Sequence, residues 1–259
     1  MIAERINSER VVLLGWSRAI LMQIAHPLIA AGVVEHSSFK GGALQAAVRL
    51  HHTVSAMLSL TFGGDERREA AIERIRAIHT TVNGTLAASA GPFPAGTRYS
   101  AEDPALLLWV HATLLDSTAD IYQRVVGPLT SDELNALCVE ATPLLDALGG
   151  DPSTTPRSWE ALQRYMTAVY DSGVLAVSEQ ARELAAAVLT PRAAGIAVPF
   201  GGLHQLMAIG LLPAGLRTQY GFEWNQARAR RFDRTVRMLR AIRRVAPRAA
   251  AQWRVAQLN

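Results

Sequence analysis

Four side chains between positions 49 and 79 could do chemistry together: Arg49, His52, Thr53 and His79, in the stretch RLHHTVSAMLSLTFGGDERREAAIERIRAIHTTVNG. On a helix Arg49 and Thr53 are i and i+4, so they share one face, with His52 beside them. Gly63-Gly64-Asp65 divides the stretch into two helices. In the second, Ile72, Ile75, His79 and Val82 fall at i, i+3, i+7 and i+10, an apolar stripe with an imidazole set into it. Glu69, Glu73, Arg74 and Arg76 occupy the opposite face. His79 is therefore expected to point into the protein. A buried imidazole needs a partner, and a metal, a haem iron or a buried acceptor would each serve.

Three further groups belong with these. Arg49 has no acid at i±3 or i±4. It reads either as a surface arginine or as a cation facing a cavity, where a carboxylate, a haem propionate or dioxygen could pair with it. Glu35 stands in apolar surroundings, either as a helix-end carboxylate or as a general base whose pKa burial would raise. His111 lines up with Leu107, Leu108, Leu114, Leu115, Thr118 and Tyr122, so it too is expected to face inward.

Several chemistries lack their residues. The single Cys138 excludes a disulfide framework or a cysteine-based metal site within one chain. HExxH and paired ExxH motifs are absent, which removes zinc-protease and di-iron readings. No glycine-rich phosphate loop follows a strand, and no GxSxG elbow is present. A helical chain with inward histidines leaves haem as a natural prosthetic group, since one imidazole can hold the iron.

The elements that must position these groups are helical almost throughout. Ser8 is read as the cap of a helix to about Ala25, broken by Pro27. After Gly41-Gly42 come the helices of Arg49 and His79, the second closed by Asn83-Gly84. A Pro/Gly-rich loop spans residues 85–102, and Asp103 with Pro104 opens a helix to Gly127-Pro128. Thr130-x-x-Glu133 is a capping box for a helix to Gly149-Gly150. Thr155-Pro156 opens another to Ser172-Gly173, and Ser178 caps one ending before Thr190-Pro191. The stretch VPFGGLHQLMAIGLLPAGLRTQYGFEW reads as short turns at best, and a final helix runs from about Asn225 to Val245. With no strand-like alternation, the expectation is one all-α domain of about eight to ten helices over residues 1–259.

Val11 to Val34 is the most hydrophobic stretch, but Arg18 and Pro27 argue for a buried helix rather than a membrane span. The N-terminus MIAERINSER carries acids and no early apolar run, so no secretory signal is expected and a cytoplasmic location is. Charge is lopsided: from Gln226 onward ten arginines face one acid, Asp233, giving +9 of a whole-chain +4 and leaving −5 for residues 1–225. That tail shows no aromatic interleaving and no nucleic-acid motif, so no nucleic-acid partner is expected. A solvated or partner-facing helix, or peripheral membrane contact, fits it better.

Five segments, in order, resemble one family. They are LLGWSRAILMQIAHPLIAAGVVEHSSF, RLHHT, RIRAIHTTVNG, YSAEDPALLLWVHATLLDS and LLPAGLRTQYGFEW. The family is the catalytic domain shared by bacterial rubber oxygenase (latex-clearing protein) and the fungal membrane-bound oxygenase of mycophenolic acid biosynthesis. The resemblance runs from about Leu14 to Trp224. It implies an all-α fold with a globin-like core around haem b (iron protoporphyrin IX), and cleavage of isoprenoid double bonds with dioxygen.

Carried over by motif, His79 in RAIHTTV matches the proximal haem ligand. Arg49 and Thr53 in RLHHT match the arginine and threonine of the family's R-x-x-K-T pattern, while His52 stands where the rubber enzymes have lysine. Glu35 is set against the glutamate proposed as base. The resemblance thus implies His79, Arg49 and His111 at the cofactor and Arg49, Thr53, Glu35 and His52 in catalysis. The expected function is a haem-b-dependent oxygenase of a hydrophobic, alkene-bearing small molecule. A non-catalytic haem or apolar-ligand binder, or a cofactor-free helical interaction protein, are the alternatives.

Overall fold

The structure is a computed structural model. It describes residues 1–36, 43–189, 192–193, 196–197 and 201–254, the side chains of 43–51, 192–193, 196–197 and 201 excepted. Among the described residues thirteen helices, ten of them seven residues or longer, make an all-α domain that is 71% helical. In chain order they are α1 (Ile2–Asn7), α2 (Leu13–Ile24), α3 (Pro27–His36), α4 (Ala43–Phe62), α5 (Asp65–His79), α6 (Pro104–Val125), α7 (Ser131–Ala147), α8 (Trp159–Asp171), α9 (Glu179–Leu189), α10 (Gly201–Leu211), α11 (Ala214–Gln219), α12 (Gln226–Val245) and α13 (Arg248–Ala251). Two short antiparallel pairs interrupt them: β1 (Asn83–Thr85) with β2 (Arg98–Ser100), and β3 (Arg192–Ala193) with β4 (Ile196–Ala197). Pairs of two or three residues are too short to show alternation in a sequence, so they escape a periodicity reading.

Local punctuation largely sets the helix starts. Asp103 caps α6 by accepting from Ala105 N at 2.8 Å, with Pro104 at the first helical position. Thr130 and Glu133 form the reciprocal capping box of α7. Ser178 accepts from Ala181 N at 3.1 Å before α9, and Asn225 from Arg228 N at 3.0 Å before α12.

Three boundaries differ from the sequence expectation. Ser8 closes α1 rather than opening the next helix: its hydroxyl donates to Arg5 O at 2.7 Å, and a 3-10 turn over Arg10–Val12 leads into α2. Helix α8 is capped by Ser158, not Thr155, whose hydroxyl donates back to Asp151 O at 2.8 Å inside a preceding turn. The Gly-rich stretch expected to hold only short turns contains the eleven-residue α10. Packing overrides propensity there, because Phe232 lies where a Cβ on Gly210 would sit, at 2.3 Å.

The core is built on α2 crossing α6. Gly15 makes the close crossing possible: a Cβ there would meet Ser117 O at 2.6 Å and Ile121 Cγ2 at 2.9 Å. We expect Gly15→Val to destabilise the protein by about 1–3 kcal/mol through overpacking, read as a lowered urea midpoint with an unchanged slope. Leu21, Met22, Trp109 and Ala112 are buried at this crossing, and the Trp109 indole donates to Met22 O at 3.2 Å. Helices α8, α9 and α10 wrap the same cluster. Pro27 breaks the hydrophobic Val11–Val34 stretch, and the segments Arg10–Ile24 and Pro27–His36 meet at 105°. No single described helix is long and apolar enough to cross a membrane.

Candidate functional site around His79

Helix α5 carries His79 as its last residue, and the chain then turns sharply. Val82 N donates to His79 O at 3.0 Å, after which Asn83, Gly84 and Thr85 pair with Ser100, Tyr99 and Arg98. Ala101 N closes the arrangement on Val82 O at 2.8 Å, and Asp103 then caps α6. The small hairpin therefore ties the end of α5 to the start of the helix that bears His111. The closing element is Thr80 and this turn, not Asn83-Gly84, which already belong to β1.

The far end of α3 packs on the same turn. Gly32 faces Val82 and Tyr99, with a built Cβ 3.3 Å from Val82 Cγ1. His36 Nε2 meets Asn83 O at 3.0 Å, and its ring lies edge-on to Tyr99 at 6.3 Å. Tyr99, 5% exposed, donates its hydroxyl to Glu35 Oε2. Burial first, then the carboxylate it serves, pushes the Tyr99 phenol pKa well above its ordinary value. Gly84 permits this approach, since a Cβ there would sit 2.5 Å from Tyr99 Oη.

Ile72, Ile75, His79 and Val82 are half-buried, so the expected stripe does lie inward although α5 buries no residue fully. The His79 ring is the unusual member. Its Nδ1 is buried with no hydrogen-bond partner among the described residues. Burial lowers its pKa, partly offset by the charge of Glu102, and so favours the neutral imidazole that can donate a lone pair. An orphaned buried imidazole nitrogen costs about 1–3 kcal/mol unless something satisfies it.

His111, two turns into α6, repeats the pattern. Its Nε2 is buried without a partner among the described residues, and burial pushes its pKa down to about 4. Leu107, Leu108, Thr118 and Tyr122 around it are buried as expected, whereas Leu114 is 38% exposed.

The other expected site residues fare unequally. Glu35 is the helix-end carboxylate of its two sequence readings, exposed at the end of α3 rather than set in apolar surroundings, with its carboxylate turned to Tyr99. His52 and Thr53 are exposed on α4. Arg49 lies on the same helix, but its side chain is outside the described residues. The α4–α5 hairpin is tied to the body where Asn7 Nδ2 donates to Thr61 Oγ1 at 3.2 Å.

Sequence reasoning missed two groups. One is Tyr99 with His36, which hold Glu35 and the turn after His79; nothing in their spacing signals a pairing across so many residues. The other is Arg18, 7% exposed, which donates to Leu211 O at 2.8 Å and Ser117 Oγ at 2.7 Å and pairs with Asp116 at 2.6 Å. Gln163 donates to the second Asp116 oxygen at 2.8 Å. An arginine inside the most apolar stretch was the available signal. A cleft of about 360 Å³ opens beside this network, but Arg18, Asp116 and Gln163 satisfy one another there. No trio of metal-ligating side chains converges among the described residues.

Over 235 residues, 89% of this chain and 88% of the relative, the chain is 26% identical to the uncharacterized protein Mb2261 of Mycobacterium bovis. The uncharacterized protein Rv2237 of Mycobacterium tuberculosis matches over the same span at 26% identity. No solved structure matches. Residues 4–241, from α1 into α12, match the catalytic domain described as ER-bound oxygenase mpaB/B'/rubber oxygenase, and the chain belongs to that oxygenase family.

Proposed function

We propose that this protein is a haem-dependent oxygenase of a hydrophobic, alkene-bearing small molecule. Membership of an oxygenase family supports the oxygenase reading. The observation that carries the haem reading is the half-buried ring of His79 at the end of α5, whose Nδ1 is buried without a hydrogen-bond partner among the described residues and whose pKa burial lowers. It fits a prosthetic group that asks one ring nitrogen of the protein, and iron protoporphyrin IX is such a group. Haem b supplies the iron that activates dioxygen when bound.

The chain's own residues then have separable roles. His79 would hold the iron, and the Thr80–Val82 turn, pinned by Ala101 N and by His36 on Asn83 O, fixes where the imidazole sits. Arg49 and Thr53 share a helical face on α4, and we assign them to positioning the cofactor and reacting oxygen. Glu35 is the candidate acceptor for a substrate proton; Tyr99 holds its carboxylate in one place and keeps one oxygen occupied. The half-buried Ile72, Ile75 and Val82 beside His79 supply apolar surface suited to a hydrophobic substrate.

A second imidazole with a partnerless buried nitrogen, His111, favours one competing reading. Two imidazoles on one iron would leave no open position, and the protein would then bind haem without catalysis. Both readings are tested by loading the protein with haemin, reducing it, and following oxygen uptake with farnesol as a short isoprenoid alkene. We expect farnesol-dependent uptake and new carbonyl products trapped as hydrazones. A haem-loaded protein that binds no carbon monoxide and consumes no oxygen would reject the oxygenase in favour of the binder.

A further inference from the structure

We propose that the outward face of α12 docks on an anionic lipid surface. The helix runs twenty residues, Gln226–Val245, about 30 Å long. Its inner face is fully used. Phe232 is buried, Val236 and Leu239 pack on the core beneath it, and two inner arginines are committed to fixed partners. Arg240 donates to Gln123 O at 2.9 Å and Arg124 O at 2.8 Å, closing the C-terminus of α6. Arg243 grips the buried Glu9 through two bonds of 2.6 Å.

The outer face is different in kind. Arg230, Arg231, Arg234, Arg237 and Arg244 are exposed and make no hydrogen bond or ion pair among the described residues. At 100° per residue Arg230, Arg237 and Arg244, seven apart, form one row along the helix. Round the helix from that row, past Arg234 on the side opposite Phe232, an exposed apolar crest follows: Val245, Met238 and Ile242, about 140°, 120° and 80° from Phe232 and exposed by 83%, 49% and 52%. The acids nearby do not neutralise this face: Asp233 is the single acid of α12, Glu223 pairs with Arg228, and Glu9 is held by Arg243.

A twenty-residue helix that shows water a row of cations beside an apolar crest matches the layering of a membrane surface. Anionic headgroups meet the arginines while Met238, Ile242 and Val245 enter the headgroup–acyl boundary. Nucleic acid offers no layer for that crest, and the face has no aromatic ring on which a base could stack. A second copy meeting it through the same helix would set arginines against arginines. The inference does not depend on haem and stands or falls apart from the oxygenase reading.

Vesicle co-sedimentation of the full chain tests it, comparing phosphatidylcholine vesicles with vesicles containing 30% phosphatidylglycerol. We expect binding only to the anionic vesicles, weakened by 0.5 M NaCl. Each arginine removed should weaken binding roughly fivefold, so Arg230→Gln/Arg237→Gln/Arg244→Gln should lose on the order of 100-fold. Met238→Asp/Ile242→Asp should also lose binding, with the circular dichroism of the parent retained in both variants. Equal binding to both vesicle types, or binding that either variant leaves intact, overturns the proposal. So does self-association through α12, or polynucleotide binding that survives Met238→Asp/Ile242→Asp while vesicle binding is absent.

Discussion

Replacing Arg18 by methionine is expected to cost about 3–5 kcal/mol, a large share of a typical folding free energy of 5–15 kcal/mol. The guanidinium sits at the α2–α6 crossing and satisfies three groups at once: the Asp116 carboxylate, the Ser117 hydroxyl and the carbonyl that ends α10. Methionine keeps most of the volume but leaves Asp116 buried with only Gln163 as partner. A buried charge without its counter-ion is expensive, while removing both charges is not. Arg18→Met/Asp116→Leu should therefore recover most of the loss, and chemical denaturation of the two single variants and the double variant measures the coupling. Equal losses in the double variant and in Arg18→Met would show that the charge pair is not what matters there.

Acid should unfold the cofactor-free protein between about pH 6.5 and 4. His26 and His111 are each held to about pKa 4, His26 by burial against the opposing charge of Asp103 and His111 by burial alone. A histidine whose folded pKa lies below its ordinary 6.5 is neutral in the fold, and the unfolded chain takes up the proton first. Its contribution is thus complete above 6.5 and disappears as the pH falls toward 4. The slope is about 1.4 kcal/mol per pH unit for each group, roughly 3 for both. His111→Leu should flatten the curve, because His111 Nε2 has no hydrogen-bond partner to orphan and only the titration is removed. A pH–stability curve identical in parent and variant would contradict the burial of that ring.

The sequence disclosed what is local and periodic. Asp103-Pro104, Thr130 with Glu133, Ser178 and Asn225 each cap the helix they announce, because a cap is set by residues two or three positions apart. Ser8 misled because a serine hydroxyl serves the end of a helix as readily as its start. Helix α10 was missed since Gly201, Gly202 and Gly210 lower its intrinsic propensity; burial of Leu206, Met207, Ala208, Ile209 and Leu211 in the core, with the Phe232 ring against Gly210, holds it. At the site, the stripe holding His79 was readable from its 3.6-residue period. The Tyr99–Glu35 bond and the Arg18–Asp116 pair were not, as nothing local fixes contacts between residues so distant in the chain. Glu35 shows the limit most plainly. Its neighbours left a helix-end carboxylate and a buried base both open; the end of α3 delivers the first, and turns it to a tyrosine that nothing local announces.

The most direct test is the visible spectrum of the purified protein with added haemin, recorded beside His79→Ala. The parent should show a Soret band that weakens or shifts in the variant while circular dichroism stays the same. A Soret band of the same height and position in both proteins would mean that His79 holds no iron.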